Sequence, residues 1–259
     1  MGALPLLAKK RKDPLFIFGP GLAAYWPIKG AVLDATSAPP DDAENVETVQ
    51  DKSGNGFDMV HATEANQADY QVGTANGQPS IHFDRVDDYY LGSQFTIATS
   101  GIAWAVVQLD ADMAGTGNIM ACSDTAGGND YWQWMVVATT EVLRVNSTIG
   151  ASPDIVDSVG TLSLGVPHIC ILISNGTAWR WRIDGVEQSL SVIAGSNSGQ
   201  WPGDNAAIDN GSIGAGVRST VVSFFQDHIL NAGIADGEPT VLQVAELETF
   251  LANLFGVSI

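Results

Sequence analysis

Short apolar runs separated by turn-forming clusters recur along most of this chain. Ile81 and Phe83 alternate with polar neighbours, and Tyr89, Tyr90 and Leu91 follow a pair of aspartates. Residues 102–109 are almost continuously apolar, the pattern of a strand covered on both faces. Residues 119–122, 131–137, 142–145, 169–173, 208–213 and 221–229 read as further strands. Residues 179–183 alternate Trp, Arg, Trp, Arg, Ile, which puts both tryptophans and Ile183 on one face. Asn175-Gly176 and Asp184-Gly185 bracket that strand and predict hairpin turns. Asp51 to Gly56 predicts another reversal, because Asn-Gly tolerates left-handed backbone.

One segment has a different period. Val244, Leu247, Leu251 and Leu254 form an apolar stripe at helical spacing. Thr240 and Gln243 match a capping box, Pro239 stands just outside it, and Gly256 supplies the stop. On this helix Glu246 and Glu248 read as solvated positions. Many strands and a single terminal helix predict an all-β fold: a two-sheet antiparallel jelly-roll sandwich with one C-terminal helix.

Composition agrees with that reading. Only 15% of the 259 residues are charged, while 28 are glycine; helical bundles and disordered linkers carry far more charge, about 25% being ordinary. Charge is also unevenly placed. Eleven basic residues oppose 29 acidic ones, and four of the eleven are consecutive, Lys9, Lys10, Arg11 and Lys12. Residues 13–259 are left strongly acidic, so the body is expected to bind no nucleic acid and to avoid anionic membranes. No apolar run is long enough to span a bilayer, so no membrane insertion is expected. In the first twelve residues the charges follow the apolar stretch, the reverse of a secretory signal.

Residues 1–23 read as an extended basic and apolar docking arm, with Leu15, Phe16, Ile17 and Phe18 beside the lysine run and prolines breaking any helix. Residues 24–259 read as the jelly-roll domain. Cys122 and Cys170 lie in apolar strands; one disulfide is open to them, but buried free thiols are expected.

The order of motifs adds a resemblance. Asp51-Lys52-Ser53-Gly54-Asn55-Gly56 is followed by Asn76 to Asp84 (NGQPSIHFD) and by Val86-Asp87-Asp88-Tyr89-Tyr90. Pro167-His168-Ile169, Ile183-Asp184-Gly185-Val186 and a helix ending FLANLFG come later. From about residue 24 onward this resembles the concanavalin A-like, laminin-G-like jelly rolls found in bacteriophage structural proteins and bacterial surface proteins. One departure is Arg85, where that family usually has glycine. The resemblance implies a rigid display or carbohydrate-binding module. With the arm, it leads to the expectation of a non-enzymatic accessory virion protein, a capsid or tail decoration that docks on other virion proteins or on further copies of itself as a homo-oligomer. The alternative is an adhesin for a host-surface polysaccharide, and a glycanase is the third reading.

The sequence offers little for catalysis. Glycanases need paired carboxylates, about 5–5.5 Å apart in retaining enzymes, and no strand carries alternating acids in the signature expected. No nucleophile elbow or phosphate-binding glycine loop occurs. His61, His82, His168 and His228 share no metal-ligand spacing. No cofactor is expected. Were calcium to bind, Asp84, Asp87 and Asp88 form the densest oxygen set, with Asp110 and Asp112 a second. For sugar binding, Trp201 with Asp204 in a glycine-rich loop is the leading candidate, followed by Trp132 and Trp134, which share one strand face and so read more readily as core.

Overall fold

The computed structural model describes residues 13–259. Two large antiparallel sheets stack face to face. The eight-stranded sheet runs in the order Val186–Gln188, Trp179–Ile183, Pro167–Ser174, Gly101–Gln108, Gln226–Asp236, Gln78–Asp84, Asp69–Ala75, and Leu22–Pro27 also pairs with Gln226–Asp236. The ten-stranded sheet runs Leu190–Ala194, Ser152–Thr161, Val142–Ile149, Tyr131–Val136, Gly117–Ser123, Asn210–Ile213, Tyr90–Ser93, Met59–Val60, Thr48–Val49, Val32–Leu33. A short ladder, Gly216–Val217 with Val221–Val222, stands apart from both.

The main core lies between the sheets and draws Trp26, Trp132, Trp134, Trp179, Trp181 and Trp201 inward. A second core lies behind the eight-stranded sheet, under helices α1 (Pro14–Phe18) and α2 (Val241–Phe255). Its centre is Trp104, stacked on Phe18 with ring centroids 5.4 Å apart, its indole donating to Asn231 Oδ1 at 3.0 Å. Helix α2 begins and ends where its caps predict. Thr240 Oγ1 accepts from the Gln243 amide, Gln243 Oε1 accepts from the Thr240 amide, and Gly256 turns left-handed at φ 72°.

The N-terminal arm needs correction. Asp13 caps α1 and Pro14 opens it, so this proline starts a short helix instead of preventing one. Ile17 and Phe18 are buried in the second core, and Gln243 Nε2 donates to the Ile17 carbonyl at 3.1 Å. Leu15 and Phe16 face outward. The expected boundary between residues 23 and 24 therefore falls inside the strand Leu22–Pro27. Lys9, Lys10, Arg11 and Lys12 lie outside the described residues.

Glu248 is a second correction. It stands four residues after Val244 and three before Leu251, so it belongs to the buried stripe, and it is 4% exposed. Arg182 meets it there, Nε to Oε1 at 2.7 Å, which satisfies both charges. Residues 221–229 are not one strand either. Val221 and Val222 join the short ladder, and the core strand runs Gln226–Asp236. The long strand Ser152–Thr161 has no apolar alternation of its own; its pairing with Val142–Ile149 and Leu190–Ala194 defines it.

Candidate functional site

Trp132, Trp134 and Trp201 offer no sugar-stacking surface. The first two are fully buried and Trp201 is 1% exposed. Trp132 and Trp201 instead meet across the core at 5.1 Å, edge to face. Asp204 is exposed, but its carboxylate accepts from the Trp201 amide at 2.7 Å and so closes the turn that delivers Trp201 inward. Large apolar faces win the core because burial is worth about 25 cal/mol per Å², and the inward parity of Trp132 and Trp134 turns Tyr131 and Gln133 outward.

The histidines are structural where their partners are visible. His168 Nδ1 pairs with Asp184 at 2.6 Å, and its other nitrogen contacts Ser163. His228 links Ser80 Oγ, 3.0 Å from Nδ1, to Asp110 Oδ2, 3.2 Å from Nε2. The trio has the components of a nucleophilic triad, but Ser80 is fully buried and presents no hydroxyl to a substrate. Burial pushes the His228 pKa below its ordinary value. Asp110 is thereby occupied, also accepting from Gln108, and does not assemble with Asp112 into a three-ligand group among the described residues. Cys122 and Cys170 are buried free thiols, and burial pushes both pKa values up.

Asp84, Asp87 and Asp88 do converge. One carboxylate oxygen from each lies within 4.8 Å of the others, at the rim where Gln78–Asp84 ends and the chain crosses to Tyr90–Ser93. Asp88 is the buried member. Burial, with the charges of Asp84, Asp87 and Asp69, raises its pKa to about 7, even though Oδ2 accepts from the Asp84 amide at 2.8 Å. Asp84 Oδ1 accepts from the Val86 amide at 2.6 Å. Between them Arg85 takes φ 69°, the left-handed turn that glycine adopts more readily, so its backbone keeps the conformation its side chain disfavours. Asn66 holds the cluster from the side, donating Nδ2 to the Asp87 carbonyl and accepting from the Tyr89 amide.

An aromatic patch adjoins these acids. Tyr89 is packed edge-on by His61 at 4.4 Å and tilted against Phe224 at 6.3 Å, and all three rings are partly exposed. Its neighbour Tyr90 turns inward, the hydroxyl donating to the Val46 carbonyl at 2.8 Å. Tyr89 follows Asp87 and Asp88 directly in the chain, just before the strand Tyr90–Ser93 begins, and it stays partly exposed while Asp88 and Tyr90 are buried. The run of acids was legible in the sequence, whereas the contributions of His61 and Phe224 arrive from distant loops.

The donor set suits a hard cation. All three groups are carboxylates, none forms an ion pair with a basic side chain among the described residues, and the buried Asp88 is destabilised as an anion by burial and by its neighbours. Calcium takes six to eight such oxygens and accepts water for the remainder.

No family model and no curated protein matches this chain. Solved structures do resemble it. Domain 4 of AbnA, a GH43 extracellular arabinanase from Geobacillus stearothermophilus, solved with arabinotriose, aligns over 88% of this chain and 98% of its own, at 13% identity and TM-score 0.60. The CBM40 of the Ruminococcus gnavus IT-sialidase, bound to α2,3 sialyllactose, aligns over 59% of this chain and 83% of its own, at 10% identity and TM-score 0.50. A K499G mutant of the NanB sialidase from Streptococcus pneumoniae aligns over 64% of this chain but only 27% of its own, at 11% identity and TM-score 0.52. At such identities the likeness shows the fold, a β-sandwich that carbohydrate-binding modules share.

Proposed function

We propose that this chain is a non-catalytic glycan-binding module whose ligand lies across the rim formed by Asp84, Asp87, Asp88, Tyr89, His61 and Phe224. The observation that carries the reading is the partly exposed Tyr89 ring beside three converging carboxylates. An aromatic face takes the C–H surface of a sugar, and carboxylates accept from its hydroxyls. Asp84, Asp87 and Asp88 would hold calcium, which when bound offers vicinal hydroxyls further oxygen-binding positions. Asn66 and the Asp84 amide keep the acids oriented whether or not an ion is present. Sugar complexes of two structural neighbours support the reading by analogy of fold.

The test is a glycan array followed by calorimetry, with and without calcium. Tyr89→Ala and Asp87→Asn should each weaken binding at least tenfold. Binding that both variants leave unchanged places the site elsewhere, and a blank array for wild type ends the reading.

A second reading concerns attachment. Phe16 is 65% exposed on the helix that follows the basic run Lys9–Lys12. In that reading the N-terminal segment docks the module on a virion, as a capsid or tail decoration, and many copies give weak sugar binding its avidity.

A further inference from the structure

The outward face of the ten-stranded sheet carries a polar strip that the rim site does not use. Strand register puts Asn118 and Ser123 on Gly117–Ser123, Gln133 on the next strand, and Asn210 and Ser212 on the strand at the other side. Residues 214–223, which include the short ladder, fold over this strip as a strap. Asn210 Nδ2 donates to the Val217 carbonyl at 3.0 Å, Ser212 Oγ to the Ala215 carbonyl at 2.7 Å, and Asn118 Nδ2 to the Ser223 carbonyl at 3.1 Å.

Those contacts leave the strip incompletely paired. Asn118, Ser123, Gln133 and Asn210 are all 4% exposed or less. Yet Asn118 Oδ1, Ser123 Oγ, Gln133 Nε2 and Asn210 Oδ1 have no hydrogen-bond partner among the described residues. Buried polar groups are paired in the great majority of cases, and unpaired ones gathered on one face point to something that completes them. The other unpaired buried atoms are mostly core indole nitrogens, so this concentration is peculiar to the strip.

Residues 214–217 are buried, and backbone bonds tie the strap to the sheet, the Gly214 amide donating to the Ile119 carbonyl and the Asn118 amide to the Ser223 carbonyl. The more exposed stretch from Arg218 onward is held by polar latches. Arg218 stacks on the Tyr131 ring at 4.4 Å and donates Nη1 to the Gly128 carbonyl, and the Ser219 amide donates to the Gly127 carbonyl. Its ladder is two residue pairs long. A segment with short pairing and partly exposed latches belongs to the low-stability end of a fold. Gly216 lies so close to Gln133 Nε2 that a Cβ there would collide with it, so the strap closes directly on the floor.

We propose that residues 214–223 are a movable strap over a second carbohydrate subsite whose floor is Asn118, Ser123, Gln133 and Asn210. The floor carries no charge and mixes two acceptors, a donor and a hydroxyl. A cation would meet the Gln133 amide protons and an anion the two amide oxygens; a neutral polyhydroxylated chain satisfies all four. Tyr131, freed of Arg218 when the strap lifts, supplies an aromatic face. The subsite rests on the glycan-binding reading but shares no residue with the rim, so the two can fail separately.

The experiment uses the full chain as wild type, Arg218→Ala, Gln133→Leu and Tyr89→Ala, on a glycan array and in hydrogen exchange. Arg218→Ala should speed exchange of residues 214–223 more than tenfold and tighten glycan binding three- to tenfold, because a closed strap lowers apparent affinity by the fraction open. Gln133→Leu should weaken binding at least tenfold. Loss with Tyr89→Ala but not with Gln133→Leu retains the rim and overturns the subsite; the converse retains the subsite alone. Affinity unchanged by Arg218→Ala, or an array blank for wild type, means that the floor holds internal water only and overturns the proposal. Arg218 is partly exposed, so its variant decides the matter even if Gln133→Leu fails to fold.

Discussion

Replacing Asp88 with asparagine keeps the size and the acceptor that meets the Asp84 amide but removes the charge. In the native protein the carboxyl is pushed from an ordinary 3.8 to about 7, first by burial and then by the charges of Asp84, Asp87 and Asp69. The unfolded chain has lost this proton by pH 5, while the native chain keeps it until about pH 7. Between those values the native state binds more protons, so stability falls as pH rises. From pH 5 to 8 the full shift corresponds to ~2.6 kcal/mol. Water reaching the open side of the cluster screens the interaction, and about half of that is the expected loss. Urea titrations in a chelating buffer, at half-unit steps of pH, provide the assay. The difference between wild type and Asp88→Asn cancels the other groups with shifted values, Asp227, Asp236 and His228. The variant should match wild type only below about pH 3.8, and its advantage should grow by about 1 kcal/mol between pH 5 and pH 8. A difference that stays flat, or that grows toward acid, would mean that Asp88 is not held as a strained acid and would remove the electrostatic argument for a cation at the rim.

Two further outcomes follow from the cores. Trp201→Ala should cost ~3–5 kcal/mol of stability through the cavity it leaves beside Trp132, and the folded fraction should bind glycans as wild type does; calorimetry on the same sample separates the two effects. Glu248→Gln should cost ~2 kcal/mol in urea unfolding because Arg182 loses the nearer of its two carboxylate partners and keeps only Glu187, at 3.8 Å. The charge-free pair Arg182→Met with Glu248→Met should recover most of that loss.

Much of the architecture is written in local chemistry. The cap at Thr240 and Gln243, the stop at Gly256 and the Asp184-Gly185 reversal each depend on neighbours within a few residues, and each stands where the pattern places it. The acidic run Asp84 to Asp88 is likewise local, and the turn through Arg85 folds its carboxylates together. The Asp51 loop has a role no local reading reveals: its carboxylate accepts from the Tyr25, Ser53 and Phe57 amides, tying the loop to a strand 26 residues away in sequence.

Alternation in 131–136 determines that Trp132 and Trp134 lie opposite Tyr131 and Gln133, but not which set faces water. A period of two is symmetric, and only the second sheet, arriving with Trp181, and the loop that delivers Trp201 make one side the interior. For the same reason Glu248 reads as solvated until Arg182 crosses from Trp179–Ile183 to pair with it. The joining of α1 to α2, the Tyr89 patch and the strap over Gln133 are contacts between distant segments. The sequence alone therefore determined the strands, turns, caps and charge of this protein. Tertiary structure decided which faces are buried and which polar groups are left to meet a ligand, because pairing between remote strands carries no local signature.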